Sequence, residues 1–154
     1  MAVKLGLDAK LYRNTGTQPA PVWNEIKNVK DVTLNLEAGE ADVTTRGNNG
    51  WRATVATLKD GSVEFEMVWD TEDDDFGAIR DAFLNHTALE FAVMDGDIAT
   101  AGSQGLRASC MVTNFSRNEA LEEAITVSVT VKPTFSTTPP SWMTVPPPPP
   151  PPPP

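Results

Sequence analysis

The sequence predicts a mainly β domain, an antiparallel β-sandwich or partly open β-barrel with one flanking α-helix. Apolar and polar residues alternate in six separate stretches, the period expected of strands with one buried face. Only one stretch, in the middle of the chain, has apolar residues at helical spacing. With 154 residues, 40% of them hydrophobic, the chain is long enough for one domain with its own core.

Each alternating stretch places its apolar residues on one side of a predicted strand. In order, the stretches are LGLDAKLY, DVTLNLE, SVEFEMVW, ALEFAVMD, GLRASCMVTNF and AITVSVTVKP. The predicted buried sets are Leu5, Leu7, Ala9 and Leu11; Val32, Leu34 and Leu36; Val63, Phe65, Met67 and Trp69; Leu89, Phe91 and Val93; Leu106, Ala108, Cys110 and Val112; and Ile125, Val127, Val129 and Val131.

Two Asp-Gly pairs predict turns between strands. KDGS, residues 59–62, is typical of a tight hairpin, and MDGD, residues 94–97, resembles it. The first of these turns would divide residues 51–69 into two strands.

The predicted helix lies within residues 70–87. Its apolar residues recur at helical spacing, and the acidic residues before it suit the positive end of a helix and a side-chain cap. The lone histidine, His86, falls in the last turn, on the surface or at the cap. The apolar face consists of Phe76, Ile79, Ala82 and Phe83.

The end of the chain has a different composition. Nine consecutive prolines begin at Pro146, and such a run adopts polyproline II, extending about 3.1 Å per residue. We therefore divide the chain into a β-sandwich domain, residues 1–135, and a proline-rich tail, residues 136–154, in polyproline II or disordered. A tether or inert tail is favoured over a ligand for an aromatic groove.

Composition argues against several functional classes. The net charge is −9, whereas nucleic-acid binding requires clustered Lys and Arg. No apolar stretch approaches the roughly 20 residues that cross a membrane, and the first residues lack the apolar region of a secretory signal. A single cysteine, Cys110, cannot form an intrachain disulfide. These features predict synthesis in a cytoplasm and no membrane insertion.

No catalytic or cofactor site is predicted. The acidic run, residues 70–75, could supply carboxylates to a divalent cation, but it lacks the spacing of a calcium loop. Helix capping and solvation explain it better. Cys110 lies on an apolar strand face, which favours a buried thiol over a nucleophile. We therefore expect no enzyme activity, no metal and no cofactor.

The most unusual polar segment is residues 37–50, a long insert between two predicted strands. Asp42 and Arg46 are four residues apart, and Thr44 and Thr45 can both form hydrogen bonds. Such a hairpin could contact a second copy of the chain, with charge fixing the register. It could equally be a solvated loop with an internal Asp42–Arg46 pair.

An ordered set of segments resembles bacteriophage major tail tube proteins over roughly residues 3–135. It includes EADVTTR followed by GW, the strand SVEFEMVW, the helix FGAIRDAF, LEFAVMDG and the stretch from LRASCMVTNF to VTVKP. The resemblance implies a fold shared with the tube proteins of type VI secretion. It also implies a structural subunit that forms hexameric rings, which stack into a tube.

By the same resemblance, the polar hairpin contacts the neighbouring ring. This implication assigns Asp42, Thr44, Thr45 and Arg46 to stacking between rings, with Trp51 anchoring the base of the hairpin. Expected partners are other copies and further tail proteins, namely the tape measure, terminator and baseplate proteins. The expected location is the virion tail, assembled in the bacterial host cytoplasm.

DNA would pass through such a tube without sticking if carboxylates line the lumen. Glu64 and Glu66 are the candidates for lumen-facing residues, because they lie opposite the apolar side of SVEFEMVW. Two alternatives stay open: a tube from a secretion or contractile injection system, and a β-sandwich binding module on a proline tether.

Overall fold

A computed structural model of the chain describes residues 3–153. Within them lie eight strands, one α-helix and two short 3-10 helices, Gly6–Asp8 and Arg46–Asn48. The longer elements are β1 (Lys10–Asn14), β2 (Trp23–Glu25), β3 (Val29–Asp42), β4 (Thr54–Val68), α1 (Asp74–Asn85), β5 (Ala88–Met94), β6 (Gln104–Asn118), β7 (Thr126–Pro133) and β8 (Ser141–Thr144).

All eight strands belong to one antiparallel sheet with the order β2-β1-β5-β6-β7-β4-β3, and β8 also pairs with β6. The sheet is not closed into a barrel. The predicted mainly β fold with one flanking helix is therefore confirmed, with an open sheet as its final form. In this order β2 and β3 are the edge strands.

The main core lies on the side of the sheet covered by α1. The alternating residues of β4, β5, β6 and β7 point into it as predicted, since their period of two places every second side chain on this face. The predicted apolar residues of the helix join them. Those that are buried are Val63, Phe65, Met67, Phe76, Ile79, Ala82, Phe91, Ala108, Cys110, Val112, Val127, Val129 and Val131.

A smaller apolar cluster lies on the opposite face. Its buried members are Tyr12, Ala92 and Met94, from β1 and β5. Residues packed around them include Trp23, Ile98, Met143 and Val145. Consecutive residues of β1 and β5 thus serve different clusters, because these strands are covered on both faces.

The helix begins and ends as its sequence predicts. The carboxylate of Asp73 accepts a hydrogen bond from the Phe76 amide at 2.9 Å, which caps the first turn. His86 is the exposed C-cap residue, with a left-handed φ of 54°. Phe83 is half-buried and stacks on Phe115, with ring centroids 6.1 Å apart.

One residue of the acidic run neither caps the helix nor is exposed to solvent. Asp75 is 4% exposed, and its carboxylate accepts a hydrogen bond from Arg13 Nε at 2.8 Å. The side-chain amide of Asn24 donates to both Asp75 oxygens, at 3.0 and 2.9 Å. The group joins α1 to β1 and β2, so the acidic run contributes a buried ion pair as well as a cap.

The first predicted strand is wrong in its first half. Leu5 and Leu7 are exposed, 64% and 92%, and belong to or flank a 3-10 turn, not a strand. The turn forms because the amides of Asp8 and Ala9 bond back to Leu5 and Gly6. Regular pairing starts only at Lys10, where β5 is available as a neighbour.

The KDGS turn is also wrong. Residues 59–62 lie inside β4, which runs unbroken from Thr54 to Val68. Gly61 faces Leu36 of β3, and a Cβ there would lie only 3.2 Å from the Leu36 Cδ2. The glycine therefore allows close approach between paired strands, and the real turn lies earlier in the chain, at residues 43–53.

One further turn prediction and one strand prediction are only partly correct. The MDGD segment starts the β5–β6 connection, but that connection spans residues 95–103. Only Leu34 of the set Val32, Leu34 and Leu36 packs on the core. A bulge between Lys30 and Thr33, with Asp31 at a φ of 54°, interrupts the alternation at its start.

Two strands were not predicted at all. β2 has only three residues, too few to show a period. β8 lies within the predicted proline-rich tail, so polyproline II or disorder does not describe Ser141–Thr144. The prolines from Pro146 to Pro153 are exposed and have no regular hydrogen-bonded structure.

Candidate assembly surfaces

The β3–β4 hairpin extends well beyond the rest of the sheet. β7 pairs with β4 only from Val63 to Val68, so Asn35–Asp42 and Thr54–Ser62 pair with each other alone. We call residues 35–62 the arm. Its strands reach about 25 Å past the last β7 pair, at about 3.3 Å per residue. The predicted polar insert, residues 37–50, is the larger part of this arm.

The tip of the arm is organised by Asp42 and Thr44. The Asp42 carboxylate accepts a hydrogen bond from the Thr44 amide at 2.8 Å, and the Thr44 hydroxyl accepts one from the Ala53 amide at 2.8 Å. Hydrogen bonds from the side chain and then the backbone of Thr44 lower the pKa of Asp42. These two residues therefore fix the shape of the loop, whatever else they contact.

Arg46 and Thr45 have fewer bonds within the subunit. Both are exposed, and among residues 3–153 Arg46 makes no ion pair, with Asp42 or with any other carboxylate. The backbone carbonyl of Thr45 accepts from Asn48, and its side chain does not cap the 3-10 turn. The internal Asp42–Arg46 pair considered above is therefore absent, and the Arg46 guanidinium is available to a partner.

Trp51 does not anchor the base of the hairpin. It lies in the tip loop, its backbone amide bonds to the Asn48 carbonyl at 3.0 Å, and its side chain is 78% exposed. An exposed indole is typical of residues that become buried on binding. The predicted anchor is therefore wrong in position, and Trp51 is part of the accessible tip.

The arm also carries exposed apolar side chains. Five of the 15 exposed large hydrophobic residues of the described chain lie in it. Leu58 is the most exposed, at 85%. The full set is Leu36, Val43, Trp51, Val55 and Leu58. Val55 and Leu58 are not predicted as contact residues, because the KDGS pattern predicts a turn directly after them and obscures the strand in which they lie.

Glu64 and Glu66 lie on the sheet face opposite the main core, since their neighbours Val63, Phe65 and Met67 are buried. Glu64 is exposed and faces Thr33 and Thr130 across the sheet. Glu66 is half-buried. Its carboxylate lies 3.7 Å from the Lys30 ammonium.

The surroundings of the two glutamates are polar and carry charges of both signs. We call this surface the polar face. Register places Ser62, Ser128, Thr130, Asn114 and Ser116 on it beside the glutamates, together with Lys30 and Lys132. The two carboxylates are thus accompanied by hydroxyl groups and by two lysines, and Glu37 and Asp60 line the same surface beside Glu64.

The remaining candidate residues form no site. Cys110 is 1% exposed, and burial raises the pKa of its thiol to about 12, as expected for a structural thiol. Within residues 3–153, no three His, Cys, Asp or Glu side chains are grouped so that they could hold a metal ion. In the same part of the chain, the helices lack the length and apolar character needed to cross a membrane.

The fold is similar to those of several tail and injection structures. A chain from the tail of an empty gene transfer agent particle, solved with C6 symmetry, superposes with a TM-score of 0.72 at 17% identity, covering 92% of this chain and 100% of that one. The SPP1 tail tube gives a TM-score of 0.67 at 14% identity, over 84% of this chain and 75% of that one.

A third similar structure comes from the baseplate of the anti-feeding prophage. It superposes with a TM-score of 0.62 at 9% identity, covering 94% of this chain and 99% of that one. At these identities the likeness concerns the fold. No curated protein sequence matches the chain.

Sequence gives the family directly. The model of the family described as phage tail tube protein matches residues 6–134. This range includes the arm, α1 and all of strands β1 to β7. The chain belongs to the phage tail tube protein family.

Proposed function

We propose that this chain is the self-assembling subunit of a tail tube in which six copies form a ring, rings stack, and DNA passes through the lumen. Family membership and the likeness to chains of tail structures support a tube subunit. The C6 symmetry of the similar gene transfer agent tail supports six copies in a ring.

The observation that carries the proposal is the arm. It is a two-stranded ribbon with no further strand beside it, and such a ribbon is only marginally stable in water. It also exposes five large hydrophobic side chains, a pattern typical of a binding surface. A repeated partner explains both properties, because a second copy in the next ring would cover each arm in turn.

Within this contact the predicted residues have different roles. Asp42 and Thr44 hold the tip loop in shape, while Thr45 and Arg46 face outward for polar contacts that set the register. Trp51 and Leu58 supply most of the apolar surface to be buried. Affinity then comes mainly from the apolar side chains, and charge fixes how neighbouring rings align.

The polar face is the proposed lining of the lumen. Glu64 and Glu66 would present negative charge to passing DNA, so that it slides without binding. Charges act on DNA only within a Debye length of about 8 Å at physiological salt, so residues on this face matter more than the acidic balance of the whole chain. Lys30 and Lys132 moderate the repulsion.

Electron microscopy of the purified protein tests the proposal. We expect rings or tubes, assembled without other proteins. Monomers at high concentration would instead indicate a binding module displayed by the proline segment. We also propose that tape measure, terminator and baseplate proteins are its partners in the virion, after assembly in the host cytoplasm.

A tube from an injection system is the second candidate, favoured by the likeness to the anti-feeding prophage baseplate. The two candidates differ in cargo. A tape-measure gene and genome-packaging genes beside the coding sequence would support a phage tail, whereas effector genes in their place would support an injection system.

Replacing Arg46 by glutamate is expected to prevent lengthwise assembly. The change leaves the tip loop intact, because Arg46 makes no ion pair within the described subunit, but it presents a negative charge to any acidic partner. Folded subunits or single rings should be seen by electron microscopy. Lys27→Glu, an exposed charge reversal outside the arm, is the control and should form normal tubes. Tubes of normal length from Arg46→Glu would rule out its stacking role.

Reversing Glu64 and Glu66 together to lysine should leave tubes intact but impair DNA ejection. Four lysines on the polar face would attract phosphate groups where two carboxylates now repel them. Ejection from particles carrying the variant subunit is the measurement. Glu122→Lys with Glu123→Lys changes the same charge at an exposed loop and should eject normally. Unimpaired ejection from the Glu64 and Glu66 variant would contradict the lumen assignment.

A further inference from the structure

The segment after the family domain covers a part of β6 that no other strand pairs on that side. β7 pairs with β6 from Cys110 to Asn118, and β8 pairs with it from Gln104 to Arg107. The family match ends at residue 134, so β8 is an addition to the matched region. Without β8, four residues of β6 would present an unpaired edge.

The pairing continues past the end of the strand. The Val145 amide donates to the Ser103 carbonyl at 2.9 Å, and the Gly102 amide donates to the Val145 carbonyl at 3.0 Å. The Trp142 indole N–H donates to the side-chain oxygen of Gln104 at 3.1 Å. Residues 141–145 therefore cover the polar backbone of this edge.

The same segment covers apolar surface. Met143 and Val145 are half-buried and pack against the smaller cluster formed by Tyr12, Ala92 and Met94. At the paired position, Gly105 faces Met143, and a Cβ on Gly105 would overlap the carbonyl of Val93. β5 and β6 thus approach closely at Gly105, and removal of β8 would uncover both a strand edge and part of the smaller cluster.

The residues that follow cannot extend a sheet. Pro146–Pro153 are exposed and have no amide hydrogen to donate, so no strand can add through their donors. Prolines at a sheet edge are one of the ways in which proteins prevent pairing between copies. The composition of the segment therefore suits an edge that must stay closed.

We propose that residues 141–145 are an edge guard, which prevents β6 from pairing with a strand of a second copy and so restricts association to the tube contacts. The inference rests on the proposed function, since a chain that polymerises through one surface must close its others. The linker of residues 134–140, which joins the guard to β7, makes the guard effective. A segment joined by a short linker has a local concentration in the millimolar range, above that of competing copies.

The first test displaces residues 141–145 from β6 without shortening the chain. Met143→Asp with Val145→Asp puts two charges against the apolar cluster, which should release the segment. We expect irregular association, measured by light scattering, to begin at a roughly tenfold lower protein concentration than in the unchanged protein. A peptide of residues 139–147 should restore the original behaviour, and the same peptide with Met143→Pro should not.

The controls separate the guard from folding and from tube formation. Ser141→Asp with Thr144→Asp adds the same charge at exposed positions of the segment, keeps the bond from Trp142 to Gln104, and should not cause irregular association. Circular dichroism and urea unfolding show whether each variant is folded. No association in a folded Met143 and Val145 variant, or no rescue by the peptide, would overturn the guard. Loss of tubes from the unchanged protein would instead overturn the proposed function.

A second test asks whether the segment stays on its own chain. Gln104→Cys and Thr144→Cys place cysteines at directly paired, exposed positions, where a disulfide can form. Buried Cys110 will not compete. In oxidised assemblies we expect links within single chains and unchanged tubes. A ladder of chains joined by disulfides would show exchange of the segment between copies and would overturn the guard.

Discussion

Replacing Asp75 by alanine is expected to lower the free energy of unfolding by about 3–5 kcal/mol, the range for removing one partner of a buried ion pair. The Arg13 guanidinium would lose the carboxylate that it contacts at 2.8 Å, with its side chain only 13% exposed. The Asn24 amide would lose both of its oxygen acceptors. The lost anion leaves a buried positive charge that no neighbour compensates, which is why the effect is large.

The measurement is the urea unfolding midpoint, and Asp74→Ala is the matched control. Asp74 is the adjacent carboxylate in the first turn of α1, but it is exposed. Its removal should change stability by less than about 1 kcal/mol, the scale of an exposed charge near a helix end. Similar losses in the two variants would mean that Asp75 acts only through the helix end, and not through Arg13.

Sequence alone predicts much of the core because the alternation that forms strands also selects the buried side chains. β7 is the clearest case, with Val127, Val129 and Val131 all buried as expected. Asp75 could not be identified in this way. Its partners, Arg13 and Asn24, are 62 and 51 residues away, and only the packing of α1 against β1 and β2 brings them together.

The position of the polar hairpin was predictable from the sequence, but the bonds within it were not. The polar composition of residues 37–50 indicated a hairpin that reaches outward, and the structure places that segment in the arm. The roles of Asp42 and Thr44 in the tip depend on bonds to Thr44 and Ala53 that spacing does not specify. A glycine at position 61 suggested a turn, whereas the neighbouring strand uses it for close approach.

Replacing Leu58 by aspartate should strongly raise the protein concentration needed for tube formation while leaving the subunit folded. Leu58 is 85% exposed in the isolated subunit, so the change removes no core contact. In the proposed stack the side chain would be buried against the next ring, where a leucine contributes about 1.5–3 kcal/mol. Burying a carboxylate in its place adds a further penalty, so each contact would weaken by at least that amount.

The loss would be repeated at every copy, which makes assembly far more sensitive than a single contact. Since 1.4 kcal/mol corresponds to a factor of ten in affinity, the concentration for tube formation should rise by roughly ten- to a hundredfold or more. Sedimentation and electron microscopy measure this shift. Leu121→Asp is the matched control, because Leu121 is 100% exposed but lies in the β6–β7 loop, outside the arm. If both variants form tubes at the original concentration, the arm is not the stacking surface; if both fail, exposed leucines matter for reasons unrelated to the arm.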